Sequence, residues 1–205
     1  MTLQNRVDPF GRIIATPARG SLMGNRGILH DDQRTVQKTH AHQHWVTCVL
    51  SFKGTKRPLM AQGQYTELFF LDEATSFAAG HRPCAQCRRV SYKAFLAAWQ
   101  HAHGGPEEGR SLPQTIDRAL HKARIHRREK VTFEDRISDM PNGTFCADGD
   151  TPVLIWRDRQ YRWSFEGYTP HTTPLTGTVR VLTPKPLIEV FRQGYRPEVH
   201  ASALI

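Results

Sequence analysis

The sequence predicts an α+β protein, on three observations. Short β-branched and aromatic runs at residues 45–52 and 66–71 read as strands. Tyr92, Phe95, Leu96 and Trp99 fall at i, i+3, i+4 and i+7, so one face of a helix meets a core. Beyond residue 140, turn signals separate short segments of alternating character, the pattern of a small antiparallel meander.

In chain order, the N-terminal region is punctuated by Asp8-Pro9-Phe10-Gly11, Pro17-Ala18-Arg19-Gly20 and Gly24-Asn25-Arg26-Gly27, with a short strand at 12–15. Lys53-Gly54-Thr55-Lys56-Arg57-Pro58 makes a basic turn between the two clear strands. Asp72 is placed to N-cap a short helix that runs to Ala79, with Glu73 in its first turn and Gly80 as a left-handed stop. Gly104-Gly105-Pro106-Glu107-Glu108-Gly109 divides the chain into residues 1–104 and 105–205, or marks an exposed loop within one continuous domain. A helix opens at Pro113-Gln114 and extends to about Lys130, with Ile116, Leu120 and Ala123 as its apolar stripe. The meander runs through Thr144-Phe145-Cys146, Val153-Leu154-Ile155-Trp156, Tyr161-Arg162-Trp163-Ser164-Phe165 and residues 178–182. A last helix follows Thr183-Pro184-Lys185-Pro186, turns Leu187, Val190 and Phe191 inward, and stops at Gly194.

Residues 80–89, Gly-His-Arg-Pro-Cys-Ala-Gln-Cys-Arg-Arg, carry the strongest chemical signal. Two thiolates at Cys-x-x-Cys spacing reach one ion from a tight turn, and soft sulfur donors select Zn²⁺. Arg82, Arg88 and Arg89 stand beside the pair, where cations favour the thiolate form and can contact phosphate. Four cysteines in 205 residues are too few for a disulfide scaffold. A dithiol redox pair is the competing reading, but such pairs open a helix directly after a strand in a βαβ unit, whereas this one follows a helix and a glycine stop. The fold expectation is therefore a zinc-knuckle N-terminal half packed with a C-terminal helix plus a small antiparallel β-sheet unit. Cys84 and Cys87 are metal ligands on spacing alone. Cys48 is a further candidate by its chemistry, although a lone cysteine in an apolar strand is also a small core residue.

Residues 68–88, Leu-Phe-Phe-Leu-Asp-Glu-Ala-Thr-Ser-Phe-Ala-Ala-Gly-His-Arg-Pro-Cys-Ala-Gln-Cys-Arg, resemble the zinc-binding domain of the Ada DNA-repair protein and small zinc modules appended to some nucleases. The resemblance covers about twenty residues and implies that Cys84 and Cys87 form the second ligand pair, with Gly80, Arg82 and Pro83 shaping the knuckle. It further implies a structural zinc ion, DNA binding and a link to repair. The upstream Cys-x-x-x-Cys of that family is missing, so methyl transfer is not implied. In the nuclease-linked modules a histidine from an early hairpin serves instead, and Gly27-Ile28-Leu29-His30-Asp31 resembles that loop. His30 becomes the third ligand on this reading and Cys48 the fourth, with His40-Ala41-His42-Gln43-His44 as the next source.

The formal net charge is +9 with eleven histidines uncounted, which favours a polyanionic partner. The second half concentrates that charge: Arg118, Lys122, Arg124, Arg127, Arg128 and Lys130 face only Asp117 and Glu129. Arg124, Arg127 and Arg128 join Arg82, Arg88 and Arg89 as candidate nucleic-acid contacts, and Trp156, Tyr161, Trp163 and Phe165, alternating with arginines, suit either a base-stacking platform or one buried face. No apolar run approaches the roughly 20 residues that cross a bilayer, and residues 1–12 lack a secretory signal, so a cytoplasmic protein is expected. No P-loop, nucleophile elbow, His-Glu-x-x-His or dinucleotide fingerprint is present. The expected function is a zinc-binding protein that binds nucleic acid, DNA before RNA. The alternatives are an enzyme acting on nucleic acid or nucleotides, and a zinc-stabilised protein-interaction domain.

Overall fold

The computed structural model describes residues 2–54 and 58–204, so residues 55–57 of the expected basic turn at 53–58 lie outside the described residues. The chain is mixed α+β. In order it forms β1 (Gln4–Val7), β2 (Ile13–Ala15), β3 (Leu22–Asn25), β4 (Val46–Val49), β5 (Leu68–Phe70), α1 (Glu73–Ala78) and β6 (Arg82–Pro83). Helices α2 (Arg89–His103) and α3 (Leu112–Arg124) follow, then a hairpin of β7 (Ile125–His126) and β8 (Glu129–Lys130). The rest comprises β9 (Phe133–Arg136), β10 (Phe145–Asp148), β11 (Thr151–Trp156), β12 (Arg159–Ser164), β13 (Gly167–Pro170), β14 (Thr178–Val181) and α4 (Lys185–Arg192).

Among the described residues, the strands outside the β7–β8 hairpin form two six-stranded sheets. The first is mixed, in the order β2-β1-β5-β3-β4-β6, with parallel pairs β1–β5 and β4–β6. The second is antiparallel throughout, in the order β13-β12-β11-β10-β14-β9. Its β11–β12 turn places Arg157 and Asp158 at φ of 50° and 59°, the two left-handed residues that a type I′ hairpin requires.

Helix α1 sits between these layers, and all six of its residues are buried. Ala74 and Ala78 pack with Phe145, Leu154, Tyr161 and Trp163 of the second sheet. Phe77 points the other way, into the helical cluster of Phe95 and Trp99 from α2, Ile116 and Leu120 from α3, and Leu187, Val190 and Phe191 from α4. The two halves of the chain therefore share their cores. A helix this short is held by tertiary contacts rather than by its own propensity.

The acids at its start do much of that holding. Asp72 N-caps α1, accepting from the Thr75 N–H at 2.8 Å and the Thr75 hydroxyl at 2.7 Å. It also accepts from the Tyr168 hydroxyl (2.7 Å) and the His200 N–H (2.9 Å). Glu73 accepts from Arg88, the Tyr195 hydroxyl (2.8 Å) and the Glu198 N–H (2.9 Å). The backbone N–H groups of Glu198 and His200 thus fasten the C-terminal segment to α1.

One expectation is corrected, and one open alternative is decided. The basic helix ends at Arg124 rather than near Lys130, because Ile125 turns extended and the chain folds back through Arg127 at φ +56° into the β7–β8 hairpin. Trp156, Tyr161 and Trp163 are buried, so they fill the core and offer no stacking platform. No helix among the described residues is long and apolar enough to cross a membrane.

The Asp72→Ala variant loses the cap and leaves the Tyr168 hydroxyl and His200 N–H without their acceptor, so it should lose about 3 kcal/mol of stability in urea unfolding. A loss below about 1 kcal/mol would mean that α1 is held some other way.

Candidate metal centre

Strand β4 brings the first sulfur. It pairs antiparallel with β3, Cys48 opposite Met23, and parallel with β6, Val46 opposite Arg82 and Thr47 opposite Pro83. The parallel seam extends one residue further, where the Cys84 N–H donates to the Thr47 carbonyl at 2.9 Å. The knuckle is aimed from behind by α1. Gly80 ends that helix at φ +89°, and the His81 N–H returns to the Ser76 carbonyl at 2.9 Å. A Cβ on residue 80 would stand 2.5 Å from Cδ of Arg124, so only glycine fits that stop. Residues 85–88 then form a turn that leads into α2, with the Arg88 N–H donating to the Cys84 carbonyl at 3.2 Å.

The result is a three-sulfur cluster: Sγ of Cys48, Cys84 and Cys87 all lie within 4.8 Å of one another, each residue half-buried. Two sulfurs bound tetrahedrally to one zinc ion at about 2.3 Å each stand about 3.8 Å apart, so side-chain movements of up to about 1 Å close the cluster on an ion. The cluster also stabilises negative charge. The Cys84 thiol is brought down to about 5, first by the Cys48 thiol that donates to it and then by the N–H groups of Cys87 and Gln86, against the opposing effect of burial. Cys87 is pushed up, chiefly by burial. Cys48 is pushed up by the hydrogen bond it donates and by burial. The remaining cysteine, Cys146, lies in the second sheet, and burial pushes its thiol to about 12, which leaves it inert. The three sulfurs line one wall of a cavity of about 540 Å³, which Met23, Tyr65, Glu67 and Phe69 also line.

Of the expected ligands, Cys84, Cys87 and Cys48 come together. His30 does not join them. It sits on a loop bridged to Val36, with Nδ1 2.6 Å from the Thr66 hydroxyl and Nε2 3.3 Å from the Ala61 carbonyl, so both ring nitrogens are engaged. Nor does the histidine run contribute: His44 reaches Asp117 at 2.7 Å, and His40 packs near Trp45 and His121. Among the described residues no fourth His, Cys, Asp or Glu completes the group within 4.8 Å.

The candidate nucleic-acid contacts separate into two sets. Arg82, Arg88 and Arg124 face inward. Arg82 makes a bidentate pair with Asp117, both contacts 2.7 Å. Arg88 reaches Glu73 at 2.5 Å and Glu198 at 3.3 Å. Arg124 donates to the Gly80 carbonyl (2.9 Å) and the Gln43 carbonyl (2.7 Å) and stacks 3.9 Å from the Trp45 ring. Their positions are explained by buried acceptors distant in sequence, which the local basic pattern does not reveal. Arg89, at the start of α2, and Arg127 and Arg128, in the β7–β8 turn, are exposed. In the sequence Glu67 stands only as one of four carboxylates, with Asp31, Asp32 and Asp72, that could serve a metal site or sit in turns and caps; the apolar cavity that it lines leaves no local sign.

Compared with protein-family models, curated proteins and solved structures, the chain matches none.

Purified chain grown with zinc should carry close to one ion by elemental mass spectrometry. Cys48→Ser and Cys84→Ser should each lower that content at least fivefold, and His30→Ala should leave it unchanged. Full metal content in Cys48→Ser would remove β4 from the site.

Proposed function

We propose that this chain is a zinc-binding protein that binds nucleic acid, DNA before RNA, with the ion held by the thiolates of Cys48, Cys84 and Cys87. The convergence of three sulfurs from two distant segments carries the metal assignment. The bound ion would tie β4 to the knuckle across a seam of two paired residues. Metal binding at such a site is worth on the order of 10 kcal/mol, enough to decide whether the knuckle is ordered. Support for a nucleic-acid partner comes from the net charge of +9 and from the exposed Arg89, Arg127 and Arg128. The resemblance of residues 68–88 to the Ada zinc domain points the same way and is the sole support for a repair role.

Replacing Arg89, Arg127 and Arg128 together by Glu should weaken binding of a labelled DNA duplex by at least about tenfold and flatten its salt dependence by roughly 0.9 per lost phosphate contact. Metal content should not change. Fluorescence anisotropy across a salt series reads both quantities, and an unaltered slope would remove these residues from the interface.

A second reading, an enzyme acting on nucleic acid or nucleotides, is favoured by the cavity beside the sulfurs. Zinc with three protein ligands and an open fourth position is the arrangement of catalytic sites, where the ion polarises a substrate oxygen or acidifies a water. Glu67 lines that cavity and accepts from the Met60 N–H at 2.8 Å, so it is the carboxylate placed to take a proton. On this reading Glu67→Gln abolishes turnover on a DNA, RNA and nucleotide panel while zinc content stays at the wild-type level. Absence of zinc-dependent turnover across the panel would leave the binding function alone.

A further inference from the structure

A second cleft, of about 290 Å³, is lined by five cations and by no acidic residue. Arg26 enters it from the loop after β3, Arg124 from the last turn of α3, and Lys130 from the end of β8; Arg12 and Arg128 complete the lining. Trp45 forms part of the wall, with the guanidinium of Arg26 4.2 Å and that of Arg124 3.9 Å from its ring centre.

The buried cations lack anionic partners. Arg26 is 1% exposed and Arg124 2%. Among the described residues, none of Arg26, Arg124 and Lys130 has a carboxylate oxygen within 4 Å. The two nearby acids are committed elsewhere: Asp8 to Arg12 at 2.6 Å, and Asp117 to Arg82 and His44. Backbone carbonyls meet part of the need. Lys130 Nζ donates to Ala78 (2.6 Å), Arg26 Nη1 to Gly11 (3.1 Å), and Arg124 to Gly80 and Gln43. Arg26 Nε donates to the His81 ring at 3.3 Å. Two buried donors are still left over, Nη2 of Arg26 and Nε of Arg124.

Buried charge without a counter-charge is costly, and unmatched donors add to the cost. Burial, and then the neighbouring guanidiniums, bring Lys130 down to about 7; burial brings Arg26 and Arg124 to about 9. Both arginines remain cationic at neutral pH. A dianion in the cleft would offset their repulsion.

We propose that this cleft binds a phosphoryl group, supplied as inorganic phosphate or as the phosphate of a nucleotide or oligonucleotide. The inference goes beyond the nucleic-acid reading and does not rest on it, since the residues involved are neither the metal ligands nor, Arg128 apart, the exposed arginines. Guanidiniums present N–H donors in a fork that suits phosphate oxygens, and Lys130 adds a point charge. A cleft of this volume takes a single phosphate with a small substituent and excludes a duplex.

The test uses the zinc-loaded full chain. Melting midpoint and titration calorimetry are measured with inorganic phosphate, with adenosine monophosphate, and with a short single-stranded oligonucleotide bearing or lacking a 5′-phosphate. Potassium chloride at matched ionic strength is the control. Phosphate at about a hundredfold its dissociation constant should raise the midpoint by roughly 5 °C, and chloride should not. Lys130→Met should weaken phosphate binding at least about tenfold, and the exposed, folding-neutral Arg128→Gln about threefold. Tighter binding of the 5′-phosphorylated oligonucleotide supports a terminal phosphate as the occupant. Equal binding of the two oligonucleotides, lost in Lys130→Met, supports a backbone phosphate. Phosphate binding with no oligonucleotide binding also supports the cleft, while counting against the nucleic-acid reading. No midpoint shift beyond chloride with any phosphate ligand, or binding indifferent to both substitutions, would overturn the proposal.

Discussion

The parallel pairing of β4 with β6 is the constraint on which the rest depends. It is short, with Val46 opposite Arg82 and Thr47 opposite Pro83, yet it joins residues far apart in the chain. At one end it delivers Cys48 to the sulfurs of the knuckle. At the other, the Arg82 N–H donates to the Trp45 carbonyl at 3.1 Å, and Trp45 forms a wall of the cationic cleft. Both proposed sites thus hang on one strand. The seam is braced through Thr47, whose hydroxyl donates to Ser76 of α1 at 3.0 Å. Helix α1 is in turn anchored to the second sheet by its alanines and to the helices by Phe77.

The arginines around the knuckle show how local composition and surface charge diverge. Arg82 and Arg88 are drawn inward by Asp117 and Glu73, both buried. Removing one partner from such a pair typically costs 3–5 kcal/mol, because the other charge is left stranded. These pairs therefore lock the knuckle, α2 and α3 into one arrangement. Arg124 lies among carbonyls and the Trp45 ring and has no such acid. The positive charge of this chain is divided among internal clamping, the unmatched cleft and the exposed β7–β8 turn, with Arg128 shared by the last two.

What could be read from the sequence was what depends on local physics. Asp72 as an N-cap, Gly80 and Gly194 as left-handed stops, and the apolar face of α2 all follow from short-range geometry, and the structure has them in those roles. Cys48 was readable only as one of two alternatives, because a sulfur in an apolar strand looks the same whether it packs or ligates; the strand's neighbour decides. His30 came from a resemblance in a five-residue loop, and such a loop does not specify where its side chain points in a different tertiary setting. The overlong basic helix had no visible stop, since Ile125 and His126 neither break nor cap a helix. The cleft was illegible because Arg26 lies far along the chain from Arg124 and Lys130, and nothing local shows that the three converge.

The most direct test of the central claim is zinc K-edge X-ray absorption on the purified chain. Three sulfur scatterers at about 2.3 Å with one lighter oxygen or nitrogen neighbour is the expected first shell. A shell of nitrogen and oxygen alone, or two sulfurs with a pair of histidine imidazoles, would contradict a centre built from Cys48, Cys84 and Cys87.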